Sequence, residues 1–348
     1  MEQSELEMLV QSAQRWFARN TPHGERVASF SRGNVAAPGA WNEMAGMGWL
    51  GLTLPESQGG SGAGAAEAFD LLRSAGRDAR PEPLGLHLML APRVASAIPD
   101  MGPSLADGSV RLAMADGARA GNRALLEGGR LSGELRAVEG IADATHVLVP
   151  VGAAGQPGNP AMLLDLKHAG IVQSRARWVD GRVSAVLTLR DVPAVEAMPA
   201  DTAIDLAAAA QVADASGVMQ EAFVMTLDYL RQRAQFGKPL SSQQAIQHRM
   251  AEVFCDMQLQ FALASRLAHE LDAAPSGPWP TLAVAKSYVG RRVLRAVGAL
   301  IQVSGGIAVT EEYRLTHLYR RLHVAAQLYG TPETQLERID ARALLSAA

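Results

Sequence analysis

The residues best suited to chemistry form a short run between two helix-like stretches. Arg233 is followed by Gln235, Phe236 and Gly237, with helical composition before the run, at 207–230, and after it, at 245–271. A guanidinium group offers a planar fork of donors that matches phosphate oxygens. An arginine at a helix end beside a glycine turn is therefore suited to holding a phosphate. The alternative is an ordinary helix hairpin with a solvated arginine.

Two further runs strengthen the first interpretation. Gln302 stands three residues before the paired glycines Gly305 and Gly306, and paired glycines let a ligand approach the backbone closely. Farther along, Gly330 and Thr331 begin a Gly-Thr-Pro-Glu run that precedes a last helical stretch. The three runs together indicate a site for a phosphate-bearing ligand.

The order and spacing of these runs resemble the acyl-CoA dehydrogenase family, and residues 41–62 look like that family's amino-terminal signature. The resemblance implies an FAD cofactor, with Arg233 on the pyrophosphate and Gln302, Gly305 and Gly306 on the pyrophosphate and adenosine end. The remaining contacts that it implies are Gln235, Phe236, Gln244 and Thr331. In the family, these segments serve the flavin of the neighbouring subunit. The alternative is that they only build the bundle and its dimer interface.

The part of the family pattern that holds the flavin ring is missing. A Thr-Glu-Pro…Gly-Ser-Asp loop should follow 112–115, but the chain reads Asp-Gly-Ala-Arg-Ala-Gly-Asn-Arg-Ala-Leu-Leu at 116–126. A Trp-Ile-Thr strand should follow 131–134, but the chain reads Leu-Arg-Ala-Val-Glu-Gly at 135–140. The aromatic wall and the hydroxyl donors are absent from both places. We therefore expect the β domain not to hold a flavin ring by itself.

The family's catalytic carboxylate is also missing from its commonest position. The resemblance places Tyr329 there, and a phenol with an ordinary pKa near ~10 is a poor proton acceptor at neutral pH. A second family position falls on Ala207, with Asp205 and Asp214 on other faces of the same helix. Glu333 is better interpreted as a charge at a helix amino terminus. The catalytic residue therefore remains unknown.

The distribution of apolar residues predicts an α+β fold that is mainly helical. Helices are predicted at 1–110, a small antiparallel sheet or barrel at 111–203, and long helices again at 204–348. This order matches the arrangement that the resemblance implies, which is an amino-terminal helical domain, a β domain and a carboxy-terminal four-helix bundle. The predicted strands are 111–115, 146–151, 161–166 and 184–189. The predicted long helices of the carboxy-terminal region are 205–233, 243–272, 279–304, 310–326 and 333–346.

Composition excludes several classes of function. The net charge is −3 over 348 residues, which gives no reason to expect nucleic-acid binding. No apolar run reaches the roughly 18 to 20 residues of a membrane helix, and the single Cys255, expected in the core, allows no internal disulfide. A cytoplasmic location is predicted. Lys286, Arg291, Arg292 and Arg295 are expected on a solvated helix surface, and the spacing of His317 and His323 predicts no metal site.

Half of a flavin site is present and half is missing, which favours a subunit of a heteromeric acyl-CoA dehydrogenase of the steroid side-chain type. A partner chain would supply the ring-binding β domain and the base, and the pair would introduce an α,β-double bond into a bulky acyl-CoA. An electron-transfer flavoprotein is the expected acceptor. The alternatives are a self-sufficient homo-oligomer with a relocated base at Asp205, Asp214 or Glu333, and a non-enzymatic scaffold of the same fold.

Overall fold

A computed structural model describes residues 3–20, 39–117, 121–152, 158–235 and 237–339. The amino-terminal helices are α1 (Gln3–Arg19), α2 (Ala40–Gly46), α3 (Ala65–Arg77), α4 (Leu84–Ala97) and α5 (Gly102–Ala106). The strands are β1 (Leu112–Ala115), β2 (Arg123–Glu127), β3 (Arg130–Leu135), β4 (Val138–Glu139), β5 (His146–Pro150), β6 (Pro160–Asp165), β7 (Ile171–Arg177), β8 (Val183–Pro193) and β9 (Val195–Pro199). The fold class is therefore confirmed.

The carboxy-terminal region returns to helices. It contains α6 (Ala200–Gln232), a two-stranded hairpin of β10 (Ala234–Gln235) and β11 (Lys238–Pro239), α7 (Gln244–Ala273), α8 (Pro280–Tyr288), α9 (Leu294–Ser304), α10 (Leu315–Gln327) and α11 (Pro332–Glu337). A π-helical segment, Val289–Val293, joins α8 to α9, so the helix predicted at 279–304 is continuous but locally widened. The end of the last predicted helix, 340–346, lies outside the described residues.

The strands form two sheets, one of order β4-β1-β5-β6-β9 and one of order β2-β3-β8-β7. All four predicted strands are found. Pairing is antiparallel except between β1 and β5, which are parallel. Strands β2 and β7 were not predicted, because their side chains are largely exposed and give no apolar run. The inner faces share a separate apolar core that includes Leu131, Val147 and Leu187.

Helix α6 is the central element of the bundle, and all of its residues from Leu206 to Met219 are buried. Its contact with α3 is unusually close. A Cβ atom on Gly217 would lie 1.9 Å from the Arg73 carbonyl oxygen, and one on Gly76 would lie 2.2 Å from the Asp214 carbonyl oxygen. Only glycine permits this backbone-to-backbone approach. The two helices therefore pack with their backbones in direct contact.

Two predictions about individual side chains are wrong. Cys255 is exposed, not in the core, because the buried stripe of α7 runs through Met250, Val253 and Met257 and leaves Cys255 on another face. Lys286 was expected on a solvated surface but is completely buried in α8. Periodicity in these long Ala-rich and Gln-rich helices does not define one apolar face clearly enough to place either residue.

The prediction that no segment is long enough to cross a membrane also needs correction. Within the described residues, the continuous helical stretch Pro280–Val309 is long and apolar enough by length and composition, with a third of its most apolar window buried. This is weak evidence for a membrane span, because core helices pass the same test.

Candidate functional site

An open groove of about 710 Å³ brings together most of the residues predicted to bind a cofactor. Arg233 follows the last residue of α6, Gln235 lies on β10, and Gln302, Gly305 and Gly306 come from the end of α9. The backbone holds Arg233 firmly: its N–H donates to Tyr229 O at 2.8 Å, and its carbonyl accepts from Leu240 N at 2.8 Å. Three segments distant in sequence therefore converge on one groove.

The paired glycines have different structural roles. Gly305 ends α9 with φ 74° and ψ −154°, a conformation that L side chains rarely adopt. Gly306 has no such constraint, and a Cβ atom there would meet nothing within 4 Å. The chain itself therefore gives no steric reason for glycine at 306. An approaching ligand would supply one.

The groove is cationic. Arg233 and Arg249 line it, together with amide, hydroxyl and apolar side chains, and no aspartate or glutamate among the described residues does. Neither guanidinium group forms a salt bridge with any described residue. Tyr229, Leu240, Val303 and Ile307 give the groove an apolar part. This arrangement can accept an anion joined to a flat apolar group.

Two of the predicted residues that the structure describes do not line the groove. Gln244 begins α7 and is exposed beside the groove residue Ala245, but it does not line the groove. Thr331 caps α11, where its hydroxyl accepts from Thr334 N at 3.3 Å. Phe236 lies outside the described residues. Arg249 lines the groove but was not predicted, because its only sequence signal is its position one turn after Ala245.

The position that the resemblance gives to the catalytic carboxylate lies in a buried polar cluster. We call Glu139, Asp180, Arg182, Gln211 and Tyr329 the Glu139 cluster. The Tyr329 hydroxyl donates to Glu139 Oε2 at 2.9 Å, and Gln211 Nε2 donates to the same carboxylate at 3.2 and 3.3 Å. Arg182 Nη1 donates to Glu139 Oε1, and Arg182 Nε donates to Asp180 at 2.7 Å. The carboxylate therefore accepts from three separate segments.

The electrostatics of this cluster make Tyr329 unsuitable as a base. Burial and the neighbouring Glu139 and Asp116 raise the pKa of Tyr329 well above its usual value of 10.0. Burial alone would lower the pKa of Arg182, but Asp180, Glu139 and Asp214 raise it above its ordinary range. The phenol thus stays protonated as a donor, and the guanidinium stays charged as its neighbour's counter-ion.

Lys286 fixes the backbone that carries Tyr329. Its ammonium group donates to Ala326 O at 3.2 Å and to Gly330 O at 2.9 Å, so it binds the end of α10 and the following turn. Tyr329 adopts φ 57° in that turn. Burial lowers the pKa of Lys286 to about 7, while Asp116 acts in the opposite direction. The buried Lys286 side chain therefore stabilises this turn through its two hydrogen bonds.

The other carboxylates considered as bases are engaged or remote from the cluster. Asp214 accepts from Arg321 at 2.9 and 3.0 Å, and Asp205 accepts from Arg338 at 2.8 Å. Burial raises the pKa of Asp205, opposed by Arg338. Glu333 is exposed in the first turn of α11. Across the described ranges, no group of three or more His, Cys, Asp or Glu side chains could hold a metal.

Sequence reasoning missed the part played by Glu139. Its segment was noted only for lacking the tryptophan and threonine of the family pattern. The only signal in the sequence was an acidic residue within a short segment. The structure shows that this segment is β4 and that both of its residues are buried. Its partners lie 43, 72 and 190 residues away in the sequence, so no local pattern identifies them.

Comparisons with known proteins agree with this architecture. The acyl-CoA dehydrogenase N-terminal domain matches residues 3–96, and the C-terminal domain matches residues 198–344. Acyl-CoA dehydrogenase IpdE2 of Mycolicibacterium smegmatis is 29% identical over 290 residues, covering 83% of each chain. The solved Tcur3481-Tcur3483 steroid ACAD G363A variant is 30% identical with a TM-score of 0.88, covering 99% of both chains. The ChsE4-ChsE5 complex from Mycobacterium tuberculosis shares the fold, with a TM-score of 0.87 and 21% identity over 99% of this chain and 98% of that one.

Proposed function

The chain belongs to the acyl-CoA dehydrogenase family, and we propose that it is the half of a heteromeric enzyme that binds the adenosine diphosphate end of FAD for a partner chain. The partner supplies the ring-binding domain and the catalytic base. Together the two chains introduce an α,β-double bond into a bulky acyl-CoA. One asymmetry supports this division: the groove at Arg233 is open, whereas the place of the base is filled by the Glu139 cluster.

The groove fits the diphosphate and adenosine part of FAD. Arg233 provides a charged donor for a phosphate, and the absence of a side chain at Gly306 leaves the backbone open to a ligand. Tyr229, Val303 and Ile307 provide apolar surface for a base. When bound, FAD supplies the capacity to accept a hydride from the substrate. This chain's residues hold and orient the cofactor's tail.

The Glu139 cluster does not fit the reactive end of the site. Tyr329 and Glu139 are buried and hydrogen bonded to each other, so neither is free to face a substrate. A general base must reach the proton it removes and must be able to accept it. Tyr329 meets neither requirement, and Glu139 already accepts from three side chains. The proton acceptor is therefore assigned to the partner.

The relatives favour a large acyl group. The structure at 30% identity is described as a steroid ACAD, and we extend that substrate class to this chain. A CoA thioester with a steroid-derived side chain is the proposed substrate, and an electron-transfer flavoprotein is the proposed electron acceptor.

The test is to express the chain alone and together with a longer homologue from a neighbouring gene that carries Thr-Glu-Pro and a base glutamate. Flavin content is measured from absorbance, and activity from reduction of an artificial electron acceptor with a steroid side-chain CoA thioester. We expect little flavin in the lone chain, and about one FAD per pair of chains with turnover in the complex. Full flavin loading and turnover by the lone chain would refute the proposal. No flavin with any partner would instead favour the scaffold alternative.

A further inference from the structure

Arg249 shares the groove with Arg233 but approaches it from a different element. Arg233 is fixed at the end of α6 by backbone hydrogen bonds to Tyr229 and Leu240. Arg249 lies in the second turn of α7, on the same side of that helix as the groove residues Ala245 and Ile246. Two arginines from different elements thus line one open groove.

No carboxylate in the described part of the chain forms a salt bridge with either of these two arginines. Some exposed arginines of the bundle have carboxylate partners: Arg266 pairs with Glu270 at 3.3 Å, and Arg292 pairs with Asp256 at 3.0 Å. Arg291 and Arg295 are exposed without a salt bridge to a described residue, but neither lines the groove. Arg233 and Arg249 have no such partner among the described residues, and the groove lining contains no acid. Two like charges in one groove repel each other. A ligand with two negative charges would remove that repulsion.

We propose that Arg249 is a second phosphate-binding residue, so that the groove presents one guanidinium group for each phosphate of a nucleoside diphosphate. This inference rests on the proposed function, because it concerns the same groove. It adds a residue that the family motif does not contain and a selectivity: a diphosphate is bound better than a monophosphate.

The apolar part of the groove identifies the rest of the ligand. Tyr229, Leu240 and Val303 line it, and Ile307 remains 41% exposed. A purine base has a flat face that packs on such side chains, whereas a flavin mononucleotide has one phosphate and no adenosine. Adenosine diphosphate therefore contains both features that the groove recognises.

The test uses the full chain and ADP as the probe, measured by titration calorimetry at low ionic strength. The variants are Arg249→Gln and Arg233→Gln, with Arg123→Gln on exposed strand β2 as the matched control. Losing one charge-assisted contact should raise the Kd for ADP roughly tenfold in each groove variant and leave the control unchanged. The difference should shrink as salt is added, because exposed charges are screened. AMP should bind more weakly than ADP.

The outcomes separate this inference from the proposed function. If Arg249→Gln binds ADP as the unchanged chain does while Arg233→Gln binds it more weakly, the inference is wrong and the proposed function stands. Failure of the unchanged chain to bind ADP at millimolar concentration would also overturn the inference. The proposed function is decided separately, by flavin content and turnover in the two-chain complex. Arg249 is exposed and has no salt bridge with a described residue, so unfolding temperatures of all three variants should match and show that folding is intact.

Discussion

Replacing Glu139 by glutamine should destabilise the protein substantially. Glu139 Oε1 accepts from Arg182, Glu139 Oε2 accepts from Tyr329 at 2.9 Å, and Gln211 donates to both oxygens. Glutamine has nearly the same shape but no charge, and its amide nitrogen cannot accept. The substitution therefore removes the anion around which β4, the β7–β8 turn, α6 and the turn after α10 meet.

The size of the effect follows from the remaining partners. Breaking a buried ion pair costs about 3–5 kcal/mol when a charge is left unpaired. Arg182 keeps its hydrogen bond to Asp180 at 2.7 Å, so its charge is not left unpaired. We therefore expect a loss in the free energy of unfolding of about 2–3 kcal/mol, at or just below the lower end of that range. For a chain of this length each kcal/mol corresponds to roughly 2 °C. The expected decrease in unfolding temperature is therefore about 4–6 °C.

The assay is thermal and urea unfolding of the lone chain, with Glu127→Gln on exposed strand β2 as the control. That control should change the free energy of unfolding by less than about 0.5 kcal/mol. Combining Glu139→Gln with Tyr329→Phe tests the direct contact, and a coupling energy of about 1 kcal/mol is expected. If Glu139→Gln were as stable as the unchanged chain, the Glu139 cluster would not hold the sheets to the bundle.

Three further predictions follow from the same geometry. Lys286 has a folded pKa of about 7 against an ordinary 10.5, so the unfolded chain binds more protons than the folded chain between these pH values. The free energy of unfolding should therefore rise from about pH 7 to about pH 10. In urea unfolding experiments, Lys286→Met should flatten this rise. Gly306→Val should change the unfolding temperature by less than about 1 °C, because nothing lies within 4 Å of its Cβ position. The same substitution should weaken ADP binding. Unchanged ADP binding would argue against close approach of a ligand to Gly306. Tyr329→Glu would bury a second carboxylate beside Glu139. It should therefore lower the free energy of unfolding by more than about 2 kcal/mol, and it should create no dehydrogenase activity. Turnover by this variant without a partner chain would contradict the division of roles between two chains.

Much of the groove could be predicted from the sequence, because its residues sit in short motifs with their own turn chemistry. Arg233 precedes a glycine turn, and Gln302 precedes a glycine pair at a helix end. Signals of this kind reflect the local backbone conformation, so they can be recognised without knowledge of distant contacts. Arg249 has no such signal, because it belongs to an ordinary helix turn. Its place in the groove depends on how α7 packs beside α6.

The sequence by itself determined the order of helices, strands and helices, the motifs that we propose to bind phosphate, and the absence of the family's ring-binding loop and base. Tertiary structure alone decided what replaced them. Glu139 and Tyr329 are 190 residues apart yet share a hydrogen bond, Lys286 is buried, and Cys255 is exposed. The physical reason is that periodicity specifies which side of an element is apolar, whereas the partners of a polar side chain are chosen only when distant elements pack together.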